Sequence, residues 1–142
     1  MFSASAIPLD TIEAYRETHY HVGEDPLATL KVGEFCSALL VLHRAAEVDC
    51  SAFISACNPF SEQLDDAANA QRHAALEQGL RQRGFTILAG VGQHPSNGWP
   101  GEASFLVLGL SSSEARQLGV EYCQNAIVWA GADAVPELVL LR

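Results

Sequence analysis

The stretch SFLVLGLSSSE, residues 104–114, decides how the rest of the chain is read. Residues 104–110 are apolar almost throughout and have the length of one strand. A strand that shows no polar face is one buried on both sides, so this segment is expected at the centre of a sheet. It stops at Ser111, where Ser111-x-x-Glu114 forms the capping-box pattern that opens a helix. A central strand therefore feeds directly into a helix, which runs to about Gln124. Beyond it, residues 126–130 and 137–141 read as two strands around a turn at 133–136. Upstream, residues 85–91 read as a strand, followed by a glycine- and proline-rich loop at 92–101.

The segment 61–83 reads as the longest helix. Ser61 suits its N-cap, and Glu62, Asp65 and Asp66 favour the positive end of the helix dipole. Arg81 and Arg83 favour the negative end, and Gly84 is a natural stop. Before it, residues 51–56 form a short strand broken by Asn58-Pro59, and residues 35–48 have the length and apolarity of a helix. Residues 18–22 and 28–32 read as strands around a turn at 23–26, and residues 9–16 as a first short helix. Helices alternate with single strands, but the early and late strands come as hairpin-like pairs. The expected fold is α+β (or α/β), a single domain over 1–142 with a mixed sheet of five to seven strands and three to four packed helices.

Composition narrows the function. The chain has 142 residues, 49% apolar and 18% charged, enough to bury a core. Seventeen acidic residues against eight basic ones give a net charge of −9, and Lys31 is the only lysine. That balance excludes nonspecific binding to a nucleic-acid backbone and disfavours anionic membranes. The longest apolar runs, 38–42 and 105–108, are too short to span a bilayer. Residues 1–8 carry no basic residue ahead of their apolar positions, so no secretory leader is expected and the location is read as cytoplasmic. Cys36, Cys50, Cys57 and Cys123 show no Cys-x-x-Cys spacing and read as reduced thiols without a disulfide.

An ordered series of motifs carries a resemblance. It comprises Tyr15-x-x-Thr18-x-Tyr20, Ala52-Phe53-Ile54 running into Asn58-Pro59-x-Ser61, Asn69-x-x-Arg72, Trp99-x-Gly101-Glu102-x-Ser104 and Gln124-Asn125-Ala126. Across nearly the whole chain the series resembles the bacterial family known as domain of unknown function 3293. Cys57 departs from it, since a larger, often aromatic residue is expected before Asn58. The resemblance brings no assigned reaction. It implies where the fold begins and ends and which residues belong to a site.

Several polar residues stand where burial makes them costly. On a wheel of about 100° per residue with Leu64 at 0°, the apolar arc from Ala75 to Leu76 spans about 20° to 120°. Arg72 falls at about 80°, inside that arc, and Asn69 at about 140°, on its shoulder. A guanidinium aimed at a core needs acceptors. Either Arg72 forms a buried pair with Glu102 or with strand-end carbonyls, or it clamps an anionic ligand. Asn58 and Ser61 lie where a strand ends and a helix begins, a common ligand position, although a turn and a cap account for them locally. Glu102 and Ser104 are two apart and share one strand face. Glu102 is thereby a partner for Arg72 or, with its pKa raised by apolar neighbours, a catalytic acid or base. Trp99 either stacks on a planar ligand or covers the core edge. Gln124 and Asn125 end the last helix, as a C-cap or as amides reading a ligand.

Three functions compete. The first is a domain binding a small polar ligand, anionic or nucleotide-like, with or without catalysis. Its pocket would use Tyr15, Arg16, Asn58, Ser61, Asn69, Arg72, Trp99, Ser104, Gln124 and Asn125 around Glu102. The second is a noncatalytic acidic module that binds a protein partner. The third is a zinc hydrolase built on His19 and His21, whose spacing of two puts both on one strand face. No spacing selects a third ligand, so neither a metal site nor a cofactor is expected. Gly90-x-Gly92 lacks the third glycine and the following helix of a dinucleotide fingerprint.

Overall fold

Every described strand joins one sheet in the computed structural model, which describes residues 5–142. The first part of the 1–8 segment, read above as lacking a leader, lies outside the described residues. In chain order the elements are α1 (Leu9–Glu17), β1 (His19–Val22), β2 (Ala28–Leu30), α2 (Ser37–Ala45), β3 (Ser51–Ile54), α3 (Asp66–Gln82), β4 (Thr86–Gln93), β5 (Glu102–Leu108), α4 (Ser112–Glu121), β6 (Ala126–Ala130) and β7 (Glu137–Leu140). The sheet order is β2-β1-β4-β5-β3-β6-β7, so β5 is the central strand. Ser104 to Leu108 are all buried, as expected for a strand covered on both faces.

The fold is α+β. The sheet, expected as mixed, contains only antiparallel pairs among the described strands. The helices do not connect neighbouring parallel strands as crossovers. They pack on the two faces instead. Ile54, Phe105, Val107 and Ile127 point to one face, where Leu76 and Leu80 of α3 and Ala115 and Leu118 of α4 cover them. Phe53, Leu106, Leu108 and Val128 point to the other, against Leu39 of α2. The alternation along β3 and β5 divides one apolar run between two cores.

The helix expected at 61–83 is found at Asp66–Gln82. It ends at Gln82, and Gly84 follows with φ 82°. It begins four residues later than the Ser61 cap implies. Asp65 is the N-cap, accepting the Ala68 N–H at 2.7 Å. Residues Pro59–Ser61 form a separate 3-10 turn, and Asn58, Phe60 and Ser61 all have positive φ. The Ser61 hydroxyl is occupied by Tyr15 and Asn125 and so is turned away from the helix. At α4 the capping box forms as read, with Ser111 and Glu114 bonded reciprocally. All four cysteines are free thiols. None of the described helices is long and apolar enough to cross a membrane.

Candidate functional site

The antiparallel order brings the start of β1, β5 and β6 to the same end of the sheet as the exits of β3 and β4. A cavity of about 470 Å³ opens there, walled on one side by Tyr15 and its neighbours on α1. Tyr20, Phe53, Gly92 and Ser104 contribute to its lining. Tyr20 and Phe53 meet edge to face with ring centroids 5.2 Å apart. Phe53 lies against the backbone at Gly90. A Cβ there would stand 2.7 Å from the Phe53 ring and 2.7 Å from the His21 carbonyl oxygen. Gly90 thus serves close packing beneath the cavity, whereas at Gly92 an added Cβ would meet nothing nearer than the Tyr20 ring at 3.6 Å.

Glu102 opens β5 and lines the cavity. Its Oε2 accepts from Asn58 Nδ2 at 3.2 Å. Burial pushes the carboxyl above the ordinary glutamate range, against the Ser55 hydroxyl and the Asn58 amide, which pull it down. Asn58 is itself held from three sides. Its N–H donates to Asn69 Oδ1 at 2.9 Å, while its Oδ1 accepts from Asn69 Nδ2 at 2.9 Å and from the Leu64 N–H at 3.0 Å. These bonds hold Asn58 in its left-handed conformation with the amide nitrogen facing Glu102.

A second polar knot closes the cavity on the α1 side. The Tyr15 hydroxyl bonds Ser61 Oγ, and Asn125 Nδ2 donates to both, at 3.0 Å and 3.1 Å. Asn125 Oδ1 accepts from Arg142, whose guanidinium also sits 4.2 Å over the Phe60 ring. Gln124 donates to the carbonyls of Cys57 and Tyr122, each at 3.1 Å. The buried Tyr20 hydroxyl donates to the Tyr15 carbonyl at 2.6 Å, and burial raises its pKa well above that of a free phenol.

Over the mouth runs the loop between β4 and β5. His94 Nδ1 accepts the N–H groups of Ser96 and Asn97, and His94 Nε2 meets Glu17 Oε1 at 3.0 Å. Asn97 Oδ1 takes the Trp99 N–H, and Gln93 donates to the Trp99 carbonyl. The Trp99 side chain remains 43% exposed at the rim, where it reaches both cavity and solvent.

Eight of the residues singled out from sequence line this cavity: Tyr15, Asn58, Ser61, Trp99, Glu102, Ser104, Gln124 and Asn125. Three do not. Asn69 stands behind Asn58. Arg16 lines a neighbouring depression. Arg72 donates to the carbonyl oxygens of Ala56 and Tyr122. Its guanidinium tethers α3 to the ends of β3 and α4, which is the carbonyl-pairing alternative and not the anion clamp or the Glu102 pair. As a result the lining holds no arginine or lysine. Ser55 and Tyr20 also line it, though no spacing singled out Ser55, and Tyr20 stood only in the motif series. His19 and His21 have ring centroids 6.0 Å apart, and His21 Nδ1 bonds Thr29 Oγ1. No group of three or more His, Cys, Asp or Glu side chains is placed to hold a metal among the described residues.

No curated protein and no solved structure matches the chain. The family model that does match covers residues 54–127. That span takes in Asn58, Ser61, Glu102 and Gln124 but not the Tyr15-to-Tyr20 motif. With more than half of its length matched, the chain belongs to the family described as protein of unknown function DUF3293.

Proposed function

We propose that the cavity binds a small polar molecule whose inserted part is planar, carries N–H donors and bears no negative charge, in the manner of a nucleobase or similar heteroaromatic. The observation that carries this reading is the Glu102 carboxyl, oriented by Asn58 in a cavity lined by no arginine or lysine. A carboxyl group offers about four acceptor positions when ionised. Asn58 and Ser55 account for only part of that capacity among the described residues. An anion inserted here would meet a carboxyl and no arginine or lysine. A heteroaromatic N–H would complete the acceptor set, with Trp99 at the rim to stack on its ring. The raised pKa of Glu102 also suits a group that takes or gives a proton to a bound molecule.

The test is calorimetric titration with free nucleobases, nucleosides and comparable heteroaromatics. Binding that weakens at least about tenfold in Glu102→Gln and in Trp99→Ala, both folded, supports the reading. Absence of binding at millimolar concentration by every compound would remove it and favour the acidic protein-binding module.

A further inference from the structure

A second, shallower cavity of about 380 Å³ adjoins the first. Thr18 and His94 stand in the walls of both, so the two spaces are neighbours across these side chains. Their chemistry differs. Arg16, His19 and Lys31 line the second cavity, whereas the first has no arginine or lysine. Two acidic residues, Glu17 and Glu34, also line it, and Glu17 is paired with His94. Arg16 and Lys31 pair with no carboxylate among the described residues, while Arg81 and Arg83 are each matched to a glutamate. In a chain with seventeen acidic and eight basic residues, the sole lysine and one arginine line the same depression beside the large cavity.

Three separate elements build this arrangement. Arg16 comes from the last turn of α1, His19 from the first position of β1, and Lys31 directly follows β2. The helix dipole accounts for a cation at the position of Arg16. It does not account for Lys31, which reaches the same cavity from another strand. Guanidinium and ammonium groups together are suited to a phosphate, the one as a fork and the other as a compact charge.

We infer that the second cavity is an oxyanion subsite and that the molecule held by this protein carries a phosphate-sized anionic arm on its uncharged head. The head enters the large cavity beside Glu102. The arm passes Thr18 and His94 and ends between Arg16 and Lys31. The inference rests on the proposed reading of the large cavity, which supplies the head group. It assigns the negative charge of the ligand to residues other than Arg72.

The experiment compares nucleosides with their 5′-monophosphates by calorimetry at low ionic strength, using the wild-type chain and the double variant Arg16→Gln/Lys31→Gln. The monophosphate is expected to bind about tenfold tighter than its nucleoside, with the gain shrinking as salt is added. In the folded double variant the gain disappears and nucleoside affinity is unchanged. Equal affinity for both forms in the wild type, or a phosphate gain that survives in the double variant, overturns the subsite and leaves the head-group reading standing. If no nucleoside or monophosphate binds, the head-group reading fails, and titration with inorganic pyrophosphate decides the subsite alone. Binding lost in the double variant retains it, and no binding removes it.

Discussion

Asn58 donates to Glu102 across 3.2 Å, and this bond joins the exit of β3 to the start of β5. The two residues are 44 positions apart in the chain. Asn58 is fixed by a reciprocal pair of bonds with Asn69, so a helix residue that does not line the cavity orients the half-buried Glu102 carboxyl, which does. Orientation is transmitted from α3 through Asn58 to the site.

The raised pKa of Glu102 sets a pH dependence. In the folded protein the carboxyl holds its proton to higher pH than in the unfolded chain. The folded state therefore binds more protons just above pH 4.5, and this group's contribution to stability is lost as pH rises through its folded pKa. Glu102→Gln keeps the shape and cannot ionise. Urea midpoints measured from pH 4 to 8 are expected to coincide for variant and wild type at the acid end and to favour the variant at neutral pH. A variant less stable at every pH would contradict the assignment.

His43 works in the opposite sense. It is buried, its Nε2 lies 2.7 Å from Ser51 Oγ, and its Nδ1 has no partner among the described residues. Burial lowers its pKa, so below about pH 6.5 the unfolded chain takes up a proton that the folded protein resists. Stability is expected to fall between pH 7.5 and 5.5. The double variant His43→Leu/Ser51→Ala removes both polar groups and is expected to flatten that slope. His73, lowered in the same way and stacked on Phe105, contributes in the same direction.

Removing Arg72 takes the guanidinium donor from the Ala56 carbonyl and leaves the Tyr122 carbonyl with Gln124 as its side-chain donor. Arg72→Ala is expected to cost about 2–4 kcal/mol of unfolding free energy, read by urea denaturation. Arg72→Lys recovers only part, because a single ammonium does not reproduce the two-way geometry of the guanidinium. A loss within about 0.5 kcal/mol for the alanine variant would show that the tether is dispensable.

Gly90 and Gly92 differ although both face the same side of β4. Gly90→Ala sets a methyl 2.7 Å from a backbone oxygen and is expected to cost about 1–3 kcal/mol. At Gly92 the nearest atom to an added Cβ is 3.6 Å away on the Tyr20 ring. Gly92→Ala is therefore expected to fold normally and to weaken ligand binding, because the methyl occupies cavity space. Thermal melts separate the two variants.

Local patterns were the legible part. The apolar run ending in Ser111-x-x-Glu114 identified the central strand and the capped helix, because both depend on neighbours within a few residues. Arg72 was correctly read as facing inward, but its acceptors are backbone carbonyls whose location depends on topology. The start of α3 was misread for a long-range reason. Ser61 and Asp65 are both good caps, and the choice between them is made by Tyr15 and Asn125, 46 and 64 residues away. The antiparallel order was hidden for the same reason, since strand direction is a property of pairs and periodicity describes single segments.

The position of β3 has a consequence for how the chain is made. Both of its neighbours, β5 and β6, follow it in sequence, and β6 ends only at Ala130. As the polypeptide leaves the ribosome, the buried strand SAFI waits with one edge unpaired until β5 has been translated and with the other unpaired until β6 has followed. Asn58, Glu102 and Gln124 wait with it. Local hairpins such as β1–β2 can close early, but the site forms with the last strands, and truncation within β6 would leave a nascent chain that exposes the centre of its sheet.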